Sequence, residues 1–159
     1  MKAKFITFLL VSLVIGLTNV PPAAAQNDVA VVVNSNNNAS SLSMGELRKL
    51  FSGEKRSWPG GASVKILVRA AGTHERTALL NLLGMSSEGD YKKYWTSQIY
   101  KGEATSEPIA LPSNGMQKEA LAIYPGAIAL VDATEVKPGM KVLKIDGHTP
   151  GDGGYPLHY

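Results

Sequence analysis

Arg69, Gly72 and Thr73 are the residues whose types and spacing could do chemistry. A guanidinium offers a planar fork of donors to a carboxylate or phosphate. Gly72 permits a tight turn, and Thr73 adds a hydroxyl one residue later. The loop leads straight into an apolar helical stretch, so the amides of Gly72, Thr73, His74 and Glu75 sit at a helix start. Unpaired amides and the positive end of the helix dipole favour an anion there. The same pattern also describes an ordinary strand–turn–helix connection with a surface arginine, because the loop is no Walker A sequence. Enzyme chemistry finds little else. His74-Glu75 begins like a zinc-protease helix, but Ala78 stands where the second histidine is required. His148 and His158 lie in a tail rich in glycine and proline, and the chain has no cysteine to help them hold a metal. No nucleophile elbow and no Gly-rich dinucleotide fingerprint is present. The expectation is a non-enzymatic protein without cofactor or metal.

The elements that must position this loop follow from hydrophobic period. Val64 to Val68 reads as a short strand, and Ala78, Leu79, Leu80, Leu82 and Leu83 form the apolar side of the helix after it. Upstream, Asp28 to Asn34 is a β-branched run that reads as a buried strand. Ser43 with Glu46 predicts a capping box, and Met44, Leu47, Leu50 and Phe51 recur at helical spacing. Trp58, between turn residues, is either a ligand platform or the cover of a core edge. Downstream, Ser86 is the expected N-cap of a helix whose face carries Tyr91, Tyr94, Trp95, Gln98 and Ile99. Pro108 to Leu111 is a short strand candidate. Asn114 with Gln117 predicts a second capping box, opening a helix with Met116, Ala120, Leu121 and Tyr124 on one face. Ala127 to Val131 and Lys141 to Ile145 complete the strands. Gly147 to Tyr159 is expected to be an irregular, extended arm. Alternating strands and helices predict a three-layer αβα domain with a largely parallel sheet.

Met1 to Ala25 has the form of a secretory signal: Lys2 and Lys4, an apolar run from Phe5 to Leu17, and Ala23-Ala24-Ala25 before Gln26. The expectation is cleavage after Ala25, leaving residues 26–159 as one soluble, exported, periplasmic domain without membrane insertion. The formal net charge of the 159-residue chain is +3, and two of its positive residues lie in the signal. What remains is nearly neutral, with no basic cluster to suggest nucleic acid.

Five segments in order resemble one family, the phosphate-binding proteins of bacterial ABC importers, which are class II periplasmic solute-binding proteins. AVVVN, then LSMGELRKLFSGEKRSW, is similar to its crossover strand and following helix. YWTSQIYKGEATSEP resembles the helix after its anion loop, YPGAIALV a Pro-Gly-Ala-Ile strand, and IDGHTPGDGGYPLHY its closing segment. The resemblance runs from about Val29 to Tyr159 and covers one lobe of a two-lobed protein plus the returning C-terminal segment. It implies a fold of the periplasmic-binding-protein type, with Arg69 to Arg76 as the oxyanion loop. Arg69 then stands for the family's arginine, Gly72 for its glycine and Thr73 for its threonine, with the backbone of His74 and Glu75 completing the donors. Ala71 replaces the family's serine, and the loop is shorter. The implied ligand is phosphate or a similar oxyanion, and the implied partners are an ABC permease or a second protein chain. The other reading of the same residues is an interaction module, one solute-binding lobe kept as a scaffold.

Overall fold

The computed structural model describes residues 27–159; the expected signal segment lies outside them. The central strand is β1 (Val29–Asn34), and all six of its residues are buried. After the short β2 (Ser41–Leu42), α1 (Met44–Phe51) opens with the expected capping box. Ser43 accepts from the Glu46 amide while the Glu46 carboxylate accepts from the Ser43 amide. The chain then passes through β3 (Lys65–Arg69), α2 (His74–Leu83), α3 (Glu88–Tyr100), β4 (Ile109–Leu111), α4 (Asn114–Ile123) and β5 (Ala127–Asp132). A 3-10 turn (Ala133–Glu135), β6 (Met140–Val142) and β7 (Lys144–Ile145) follow.

Five strands form one sheet in the order β4-β3-β5-β1-β6, and β2 pairs with β7 separately. Residue alternation divides the core between the two faces, as a period of two requires. Val29, Val31, Val33, Val68, Ile128 and Leu130 pack with Leu47, Leu50, Phe51, Leu79, Leu82, Tyr91 and Trp95, which come from α1, α2 and α3. Ala30, Val32, Leu67, Ala127, Ala129 and Val131 pack with Leu121 of α4. The result is the three-layer α/β arrangement expected from the alternating elements.

The sheet is mixed, not largely parallel. β3 runs parallel to β4 and β5, whereas β1 is antiparallel to both β5 and β6. Hydrophobic period locates strands but carries no direction. The helical crossovers between β3, β4 and β5 make those three parallel, and β1 enters from the opposite end. Other details also depart from expectation. The stretch Lys141 to Ile145 is two short strands in different sheets. Helix α3 is capped by Ser87, not Ser86, because Asp90 then accepts from the Ser87 hydroxyl while the Ser87 oxygen takes the Asp90 amide. Helix α4 is capped by Ser113, which leaves Asn114 free to turn inward and donate to Glu135. Its buried face is therefore Asn114, Gln117 and Leu121, and Met116 and Tyr124 are exposed.

Gly147 to Tyr159 lacks long regular structure, yet it is packed. Tyr155 and Leu157 join the core, and the Tyr155 hydroxyl donates to the Val29 carbonyl at 2.7 Å. Buried Asp28 accepts from the Gly151 amide at 2.7 Å and meets His158 Nδ1 at 2.7 Å. The Val29 amide donates to the Leu157 carbonyl, so this segment straps the start of β1. Trp58 is buried, and its indole N–H donates to the Gly126 carbonyl at 3.0 Å; it covers a core edge.

Two measurements test this packing. A Cβ on Gly126 would land on the Ser63 carbonyl oxygen, which is backbone and cannot turn aside. Gly126→Ala should therefore lower unfolding stability by about 1–3 kcal/mol or more, read as a drop in the urea midpoint. The second concerns acid. Buried Arg76 holds Glu88 through contacts of 2.7–3.1 Å, and hydrogen bonding to Arg76 keeps the Glu88 carboxyl below its ordinary value of 4.5. A depressed folded-state pKa gives stability that is complete above the unfolded value and fades as pH falls through the folded one. Urea midpoints should fall as pH drops below about 4.5, and Glu88→Gln should flatten part of that slope.

Candidate functional site

Strand β3 ends at Arg69 and its parallel neighbour β5 ends at Asp132. Parallel strands deliver their C-terminal ends to the same side, where crevices in α/β sheets form. Gly72, with φ of +86° and open space where a Cβ would stand, turns the chain from β3 into α2. Thr73 is the N-cap of α2. Arg69, Gly72, Thr73, His74 and Glu75, the five residues singled out in the sequence, line one cavity of about 240 Å³. Asp132 and Glu135, from the turn after β5, line it too.

The Arg69 side chain is only 13% exposed, and its Nε lies 3.6 Å from Glu75 Oε1. That is an ion pair beyond hydrogen-bonding range, so Nε and Nη1 are buried without a hydrogen-bond partner. The Glu75 side chain is 6% exposed, and Oε1 also accepts a long bond from the Asp132 amide at 3.4 Å. A buried guanidinium without acceptors is costly unless something supplies them.

The Thr73 hydroxyl is differently employed from what the resemblance implies. It donates its proton to the Ala70 carbonyl at 3.0 Å and accepts from the Arg76 amide at 3.2 Å. In this state it shapes the loop and caps the helix. The donors left without an acceptor at the loop, among the described residues, are Arg69 Nε and Nη1 and the first amides of α2, which have none inside the helix.

Asp132 is the hub of the cavity's other side. Its Oδ1 accepts from the Thr134 amide and hydroxyl. Its Oδ2 accepts from the Tyr159 hydroxyl at 3.3 Å and lies 3.7 Å from His74 Nδ1. Burial pushes the Asp132 carboxyl up, but the bonds from Thr134, Tyr159 and His74 outweigh it and hold the group below its ordinary value. His74 and Tyr159 stack face to face, centroids 3.8 Å apart at 6°. Glu135 is fixed by Asn114, whose Nδ2 donates to both its carbonyl and its carboxylate, at 2.8 and 3.0 Å.

Asp132, Glu135 and Tyr159 were not among the candidate site residues in the sequence, and Asn114 was expected there only as a helix cap. Asp132 had a legible signal, since it directly follows a buried strand run; the others reach the site only through tertiary folding. Their effect on electrostatics is large. With His74 neutral, the lining holds one cation, Arg69, against three carboxylates, Glu75, Asp132 and Glu135. Among the described residues no group of His, Asp and Glu is arranged to hold a metal ion, and no helix is long and apolar enough to cross a membrane.

No family model matches the chain. Solved structures do resemble it. An ABC-type phosphate transport receptor from Vibrio cholerae superposes with a TM-score of 0.61 at 17% identity, over 78% of this chain and 48% of that one. PstS from Borrelia burgdorferi gives 0.56 at 16% identity, over 78% and 49%. The phosphate-binding protein from Stenotrophomonas maltophilia gives 0.53 at 19%, over 78% and 40%. The chain thus spans half or less of the length of these structures. Over that span, it has the fold of the phosphate ABC-transport receptors, in an extent consistent with a single lobe.

Proposed function

We propose that this chain is a periplasmic solute-binding-type protein that holds a small oxyanion, with phosphate the first candidate, and serves an ABC importer. The observation that carries the reading is Arg69: a nearly buried guanidinium with unused donors, lining a cavity at the start of α2. The fold supports it, because the resembling structures are transport receptors and binding proteins for phosphate. The cavity's size, below the range of drug-sized pockets, suits a solute of a few heavy atoms. Residues 1–25 would direct export and be removed after Ala25, leaving 26–159 as the binding domain. Mass spectrometry of exported protein should find Gln26 as its first residue, and a retained Met1 would overturn that part.

A second reading has its own support. The lining is more acidic than basic, and α3 and α4 leave Tyr100 93% and Ile123 69% exposed. A lobe of this kind would act as a scaffold for a partner protein or a second copy. Concentration-dependent association without any anion effect would favour it.

Calorimetric titration with phosphate and sulfate decides between them. Arg69→Ala should weaken anion binding by roughly ten- to a hundredfold, the loss of a charge-assisted contact. Thr73→Ala should act mainly on stability, lowering it by about 1 kcal/mol through the lost helix cap. Exposed Lys93 serves as the control, and Lys93→Ala should leave binding unchanged. Absence of heat or thermal shift with either anion at millimolar concentration removes phosphate and sulfate as its ligands, and with concentration-dependent association it puts the scaffold first.

A further inference from the structure

The charge balance of the cavity points to a narrower class of solute. Arg69 is already matched by Glu75, 3.6 Å away. Asp132 and Glu135 add two more carboxylates; His74 lies 3.7 Å from Asp132 Oδ2, and among the described residues no lysine or second arginine lines the cavity. An inorganic dianion placed here would meet Arg69 and His74 against three carboxylates. Charges of one sign brought together out of bulk water repel more strongly than in it, and like-charge juxtaposition is a device for rejecting ligands.

Glu135 is not committed elsewhere. Glu135 is exposed, its Oε2 accepts from Asn114 Nδ2, and among the described residues Oε1 has no hydrogen bond or ion pair. The two hydrogen bonds from Asn114 Nδ2, to carbonyl and carboxylate, hold the residue at the cavity. Asp132 lies in the same lining. The loop after β3 thus offers donors, and the turn after β5 offers carboxylates, to the same small space.

We propose that the solute carries an ammonium group beside its oxyanion, so that the anionic end meets Arg69 and the α2 amides while the cationic end meets Glu135 and Asp132. Small aminoalkylphosphonates and α-amino acids share this chemistry. A zwitterion adds no net charge to an already acidic lining, and it supplies both the acceptor that Arg69 lacks and the donor that Glu135 lacks. The inference rests on Arg69 being the anion's partner.

The test is calorimetry on the full chain with matched pairs that differ only in the ammonium group: 2-aminoethylphosphonate against ethylphosphonate, and glycine against acetate. Inorganic phosphate and sulfate are titrated alongside. At least one ammonium-bearing probe should bind on the order of tenfold tighter than its partner, and the pair that shows this identifies a phosphonate or a carboxylate solute. Glu135→Gln should shrink the preference to about threefold or less, with an unchanged melting midpoint showing that the fold is intact. Equal binding of both members of each pair, or binding of phosphate with none of either amine, overturns the inference and leaves the anion site standing. If no probe binds, phosphate and sulfate included, the anion site itself falls and the inference with it.

Discussion

Everything in this fold hangs on β1 being buried on both faces and paired along both edges. Its valines feed the two halves of the core alternately, and its backbone is shared between β5 and β6. A strand in that position must have every polar group met inside the protein, since an unpaired buried amide or carbonyl costs as much as a lost hydrogen bond. Its start runs past the ladder, and there the Leu157 carbonyl, the Tyr155 hydroxyl and the Asp28 contacts take over. The antiparallel seating of β1 fixes β5, and β5 in turn fixes β3 beside it. Arg69 and Asp132 reach the same cavity because of that chain of pairings.

The cavity shows how a helix start acquires character from its surroundings. On its own, the amino end of α2 is merely favourable for negative charge. Buried Glu75 alters that, because it stands against Arg69 and uses up the guanidinium's charge without giving its nitrogens a proper hydrogen bond. Asp132 and Glu135 tilt the balance further. The stacked pair of His74 and Tyr159 adds a stiff aromatic wall anchored on Asp132. The cavity thus sets charges of both signs within a few ångströms of each other.

Much of the architecture was legible in the sequence because period and capping are local. The β-branched run of β1, the Ser43–Glu46 box and the turn at Gly72 each declare themselves within a few residues. Strand direction did not, since it depends on which end of the sheet a crossover returns to. The buried polar face of α4 was hidden for another reason: Asn114 and Gln117 look like surface residues until Glu135 and the Leu130 carbonyl give them partners. The packed strap was missed because Gly and Pro suggest irregularity, and irregular backbone can still be fully bonded. At the site, the β3–α2 loop was readable, and so was a carboxylate directly after the β5 run; that the two share one cavity was not, because 60 or so residues of sequence separate them.

The strap has a consequence for the order in which the molecule can assemble. The first strand of the sheet takes hydrogen bonds and apolar cover from Tyr155 and Leu157, more than a hundred positions later in the chain. Until that distant segment is in place, the start of β1 is uncovered. Until then Asp28 has neither His158 nor the Gly151 amide. Contacts of such long sequence separation pay a loop-closure entropy before they return anything. Closure of this domain is in that sense a late event, made between segments more than a hundred positions apart.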